Sequence, residues 1–208
     1  MDRLWPFFTG TAMKKIRKQT FEKYNYRILW GAAERNLRLA VPSNKDAKFF
    51  SLGAMFLFFA AFEGYLNWLG TRIVPEVWED EKQFFSRTPY QGTLGKYRFL
   101  AKILHLPDPD PGQGAFQTAK DLLVLRDMVA HPKPEACEKQ VKFKEGYFPP
   151  HYQSELGKKV SPGAANRARD HLKELAEALH SEAKQVYSAN VHEAEAFGPI
   201  LRTEITDA

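Results

Sequence analysis

The residues best equipped for chemistry in this chain are Arg126, Asp127 and His131, which stand near the end of the stretch DLLVLRDMVAHPKP from Asp121 to Pro134. A guanidinium is a permanent planar cation suited to phosphate oxygens, and a histidine titrates near neutral pH and can take or give a proton. Together they can move a proton while holding the charge that gathers on an oxyanion. Leu122, Leu123, Leu125, Met128 and Val129 recur at helical spacing and predict a buried face, so the polar groups lie beside that face or interrupt it. Pro132 pushes His131 out of the α region, which sets the imidazole at or just past the last turn, freer to face a cleft than a mid-helix residue. A purely structural arrangement competes with this one. In it Arg126 pairs with Glu63 or Asp127, and His131 sits at the helix C-terminus, where an imidazolium is favoured. The bare spacing does not decide between them, because an arginine followed by a histidine after four to six residues arises about once by chance in such a chain. Arg98 and His105 form such a match, but Arg98 is followed by Phe99 rather than a polar residue.

The elements that must position these groups read as helices throughout. A helix is predicted from Thr11 to Ala40, with Phe21, Tyr24, Ile28, Ala32 and Leu39 on one stripe and Trp30, Ala33 and Leu37 widening it. Its other side collects Lys14, Lys15, Lys18, Lys23, Arg27, Arg35 and Arg38, a positive flank that is either solvated or a contact surface. Val41-Pro42 breaks the chain, and Ser43 with Asp46 has capping-box spacing before a second helix that is apolar almost all round. Glu63 and Asn67 share a face of it, four residues apart. A carboxylate buried there needs a cation or donor, Arg126 being one, unless Glu63 emerges into water at the helix end. A short helix is predicted from Pro75 to Arg87, a turn from Thr88 to Thr93, a helix from Leu94 to Leu106, and a loop over PDPDPGQG. The motif helix follows from Ala115 to Ala130, then an irregular insertion over 132–162 and a last long helix from Ser161-Pro162 to Tyr187. Within the insertion, VKFKEGYFPPHYQ alternates as a small hairpin would, and a short helix is expected in the tail from Glu193 to Thr203.

With 208 residues, 44% hydrophobic and 26% charged, the composition is that of a globular protein, read as one domain. A net charge of +5 suits an anionic partner such as nucleic acid. Lys133, Lys142, Lys144, Tyr147 and His151 add cations and rings after the motif, a mixture that stacks on unpaired bases and tracks phosphates, or else anchors a loop to the core. Cys137 is the only cysteine, which excludes an intrachain disulfide and a multi-cysteine zinc site and fits a reducing, cytoplasmic setting. The aromatic patch Trp5 to Phe8 precedes the basic run, the reverse of a secretory signal, so no export signal is expected. Phe49 to Leu69 has the length of a membrane span but carries Glu63 and Asn67, and a buried central helix is expected instead.

With Arg126, Asp127 and His131 late on a helix, a proline-bounded loop after them and a long apolar helix carrying Glu63 upstream, the chain resembles the HEPN superfamily. These are all-helical domains with an arginine, four residues, then a histidine as their signature. The resemblance covers about Thr11 to Tyr187 and implies an all-α bundle of about five main helices, with the insertion before the last of them. It further implies a metal-independent endoribonuclease without cofactors, acting as a homodimer whose two motifs meet in one cleft. Arg126 would stabilise the phosphorane charge, His131 would exchange the proton, Asp127 would orient either, and Glu63 with Asn67 would support them. Such nucleases act as toxins or antiviral effectors, some with an antitoxin or regulatory protein. Two other classes remain open: a non-catalytic module binding RNA, a nucleotide or a protein, and a structural dimerisation protein.

Overall fold

A computed structural model describes residues 24–134 and 154–198, and every regular element among them is a helix. In chain order they are α1 (Asn25–Leu39), α2 (Ala47–Ile73), α3 (Pro75–Trp78), α4 (Glu81–Phe84), α5 (Gly92–Ile103), α6 (Gly114–Ala130), α7 (Glu155–Lys159) and α8 (Pro162–Val186). The expected hairpin and residues 11–23 of the expected N-terminal helix lie outside the described residues, while Tyr24, expected within that helix, is not helical at φ −86° and ψ 80°, and α1 begins at Asn25. Helix α2 is the centre. Phe58, Phe59, Phe62, Tyr65, Leu66 and Leu69 are fully buried on it, each worth roughly 1.5–3 kcal/mol of burial, because α1, α3, α5, α6 and α8 all pack against it. That arrangement accounts for a helix apolar on every side. Its first half is less covered: Phe49 is 76% and Phe56 37% exposed. It is also the one helix, among the described residues, long and apolar enough to cross a membrane.

Several local expectations change. The buried stripe of α1 is Tyr26, Trp30, Ala33 and Leu37, while Ile28 and Leu39 face outward. Arg27 belongs to the buried side rather than the positive flank, its guanidinium 4.8 Å from the Tyr24 ring centre and Nη2 donating to the Glu195 carbonyl at 3.4 Å. Ser43 and Asp46 form no capping box; the Asn44 side chain accepts the Asp46 N–H at 3.0 Å and α2 starts uncapped at Ala47. The predicted helix after Pro75 is two single turns, α3 and α4, whose Trp78, Phe84 and Phe85 pack on Phe99 of α5. Gly95 is required where α5 starts, since a Cβ there would come within 2.0 Å of the Tyr90 backbone.

Of the helix expected from Glu193 to Thr203, residues 193–198 are not helical and 199–203 lie outside the described residues; after α8 the chain runs instead as a strap over 191–198. Phe197 stacks on Trp30 with centres 3.8 Å apart, Ala196 N–H donates to Glu177 Oε1 at 3.1 Å, and Asn190 donates to the Arg72 carbonyl at 3.0 Å. His180, fully buried, meets the Glu193 carbonyl through Nε2 at 3.0 Å and the Tyr65 hydroxyl through Nδ1 at 3.3 Å. A carbonyl can only accept, so Nε2 carries the proton and Nδ1 accepts from Tyr65.

Candidate functional site

Helix α6 passes α2 with Leu122 and Leu125 buried, which leaves Arg126 half-buried at the edge of the packed face. Its guanidinium carbon lies 6.0 Å from the centre of the Phe59 ring. Its Nε is sealed from solvent and stands 3.3 Å from Asp127 Oδ1, close enough for an ion pair but short of a hydrogen bond. Among the described residues nothing hydrogen-bonds to the guanidinium, so its N–H donors are uncommitted.

Arg126 lines a cleft of about 210 Å³ together with Glu63, Glu81, Thr93, Lys96 and Lys82. Glu63 does not take Arg126 as its partner; its Oε1 accepts the Thr93 hydroxyl at 2.9 Å. Asn67 is committed too, its Oδ1 accepting from Lys96 Nζ at 2.8 Å and from Trp78 Nε1 at 3.4 Å. Lys96 is almost wholly buried and ion-paired with Glu81, with its ammonium 5.8 Å from the centre of the Phe85 ring. The Lys96 and Glu81 charges cancel, which leaves Arg126 and Lys82 against Glu63, a cleft with a slight positive balance.

His131 is the residue that ends α6, at φ −130° and ψ 62°, its N–H donating to the Asp127 carbonyl at 2.9 Å. It is exposed and does not line the cleft. Arg126 and His131 of one chain therefore do not line one cavity. Lys133 is exposed on the segment that follows, and Lys142, Lys144, Tyr147 and His151 lie outside the described residues. The structure thus brings Arg126, Asp127 and Glu63 to one region, ties Asn67 into a separate network, and sets His131 at the open end of the helix.

Thr93, Glu81, Lys82 and Lys96 are cleft residues that the sequence reading passed over. The one available signal was the position of Lys96, four residues before Leu100 on the inner face of α5, where a lysine needs a buried partner. Among the described residues no three His, Cys, Asp or Glu side chains gather as metal ligands would. No family model matches the chain, and neither a curated protein nor a solved structure shows significant similarity to it.

Proposed function

We propose that this chain is a HEPN-like helical protein that cleaves RNA by attack of its own 2′-hydroxyl, without a metal ion, in a cleft completed by a second copy. The observation that carries this reading is Arg126, whose uncommitted guanidinium donors line a cleft beside the Glu63 carboxylate, with His131 open to solvent at the end of the same helix. In the reaction the 2′-oxygen bonds to phosphorus and the bond to the 5′-oxygen breaks, giving a 2′,3′-cyclic phosphate and a 5′-hydroxyl. Arg126 holds the charge on the non-bridging oxygens. His131 takes the 2′-proton or returns one to the leaving oxygen. Since His131 lies outside the cleft that Arg126 lines, the imidazole acting with a given Arg126 comes from the other copy.

Cleavage of RNA by the wild type, Arg126→Ala and His131→Ala in the presence of EDTA tests this. Each substitution is expected to lower the rate by about 10²-fold or more, and an equal mixture of the two variants is expected to regain part of the activity through mixed pairs. DNA, lacking the nucleophile, should resist. Wild-type rates in both variants would sink the proposal. The Arg126–Asp127 contact and the placing of His131 outside the cleft favour one alternative, a non-catalytic module that binds RNA, a nucleotide or a protein. That alternative gives salt-sensitive RNA binding with no turnover.

A further inference from the structure

A second concavity, of about 430 Å³, opens on the other side of α5, its lining including Pro89, Tyr90, Arg98, Lys102, His105 and Asp108. Arg98, Lys102 and His105 follow one another at spacings of four and three, so they project from one face of the helix and the turn that ends it. Asp108 grips one edge of the Arg98 guanidinium, with Nε to Oδ1 at 2.9 Å and Nη2 to Oδ2 at 2.6 Å. The grip fixes the plane of the guanidinium and leaves Nη1 free of hydrogen bonds among the described residues. Lys102 and His105 make no side-chain hydrogen bond there either. Three nitrogen-bearing groups thus face one space with a single carboxylate among them.

The backbone at His105 adds an independent observation. His105 has φ +57°, its N–H donates to the Lys102 carbonyl at 3.1 Å, and the Leu106 N–H reaches back to the Ala101 carbonyl at 2.8 Å. This is the Schellman ending of a helix, whose left-handed position is normally a glycine. A side chain there costs backbone energy that a glycine would not, and it sets the imidazole at the edge of the concavity. The chain keeps an imidazole where glycine would be more stable.

We propose that this concavity binds a small phosphate monoester, its anion held by Arg98, Lys102 and His105 and its flat organic body lying against Tyr90. The free Nη1 of Arg98, an ammonium and an imidazole suit the several oxygens of a phosphate better than a single carboxylate. The volume falls in the range of small-molecule sites, and Tyr90 with Pro89 supplies a wall for a ring. This site does not depend on the reading of the Arg126 cleft.

Calorimetric titration of the full chain with phenyl phosphate, glycerol phosphate and phenol tests it. Phenyl phosphate should bind saturably, with the other two at least about tenfold weaker because each lacks one half of the recognition. Lys102→Ala and His105→Gly should each weaken phenyl phosphate by about tenfold or more. His105→Gly should at the same time raise the melting temperature by about 2–4 °C, which separates lost binding from lost folding. Absence of saturable phenyl phosphate binding would overturn the proposal. Equal affinity for glycerol phosphate, or an unchanged affinity in His105→Gly, would overturn it as well.

Discussion

Lys96 governs the inner wall of the Arg126 cleft. Its ammonium satisfies Asn67 and Glu81 at once, from the buried side of α5 that it shares with Thr93, Tyr97 and Leu100. Removing it leaves Glu81 without its cation and Asn67 without its nearer donor. Glu81 is 33% exposed and regains some water, so the loss falls below that of a fully buried pair. Lys96→Ala is expected to cost about 1–3 kcal/mol, read as a lower denaturant midpoint with an unchanged slope. Arg126→Ala, with its side chain 37% exposed and its one ionic contact to a neighbour on the surface, should change stability far less than it changes function. A residue that is cheap to remove and costly to activity is the signature to look for in the cleft.

At the scale of elements, the start of α8 is where local chemistry and the fold agree best. Ser161 accepts the Ala164 N–H at 3.1 Å and Pro162 occupies the first turn of α8, an ending read directly from the residues. Ser161→Ala should therefore destabilise the protein by about 1 kcal/mol, whereas Ser43→Ala, at a position with the right spacing but no capping bond, should stay within about 0.5 kcal/mol. Thermal unfolding of the two variants checks the contrast. The same comparison shows what was legible. The α6 boundaries and the central place of α2 follow from proline, glycine and the run of apolar residues. The face of α1 does not, because Ile28 and Leu39 alternate with Trp30 and Leu37 closely enough for two stripes, and only the packing of α2 and the strap selects one. The break between α3 and α4 carries no glycine or proline at Glu79 or Asp80. In the cleft, Arg126, Glu63 and Asn67 were legible as residues, and so was the contact of Arg126 with its neighbour Asp127; the partners of Glu63 and Asn67, Thr93 and Lys96 on α5, were not, because tertiary contact chooses them.

Across the whole molecule, buried phenols make the fold sensitive to alkali. Burial, reinforced by the charge of Glu174, pushes the Tyr97 hydroxyl up to about 12, and burial with the charges of Tyr26, Glu177 and Glu193 holds Tyr65 well above the ordinary phenol value, against the opposing pull of Arg27. An unfolded tyrosine ionises near pH 10, so below that pH the folded state keeps the full benefit of its neutral phenols. As pH rises from about 10 through 12 the unfolded chain loses protons first and stability falls. Ultraviolet absorbance of tyrosinate should rise together with the loss of helical circular dichroism in that window; ionisation of Tyr97 with the helices intact would contradict it. Tyr65 lies at the junction of α2, α8 and the strap, so its deprotonation also removes the hydroxyl proton offered to His180.

The strap gives the bundle an order of manufacture. Trp30 lies near the start of the described chain and Phe197 near its end, and the Arg27 to Glu195 hydrogen bond joins positions 168 apart. On the ribosome α1 emerges early, but the outer face of its tryptophan stays wet until almost every other described residue has been synthesised. A nascent chain stopped before the strap carries a sticky aromatic surface on an otherwise helical intermediate. The strap is thus a seal that can close over α1 only after α8 has been made.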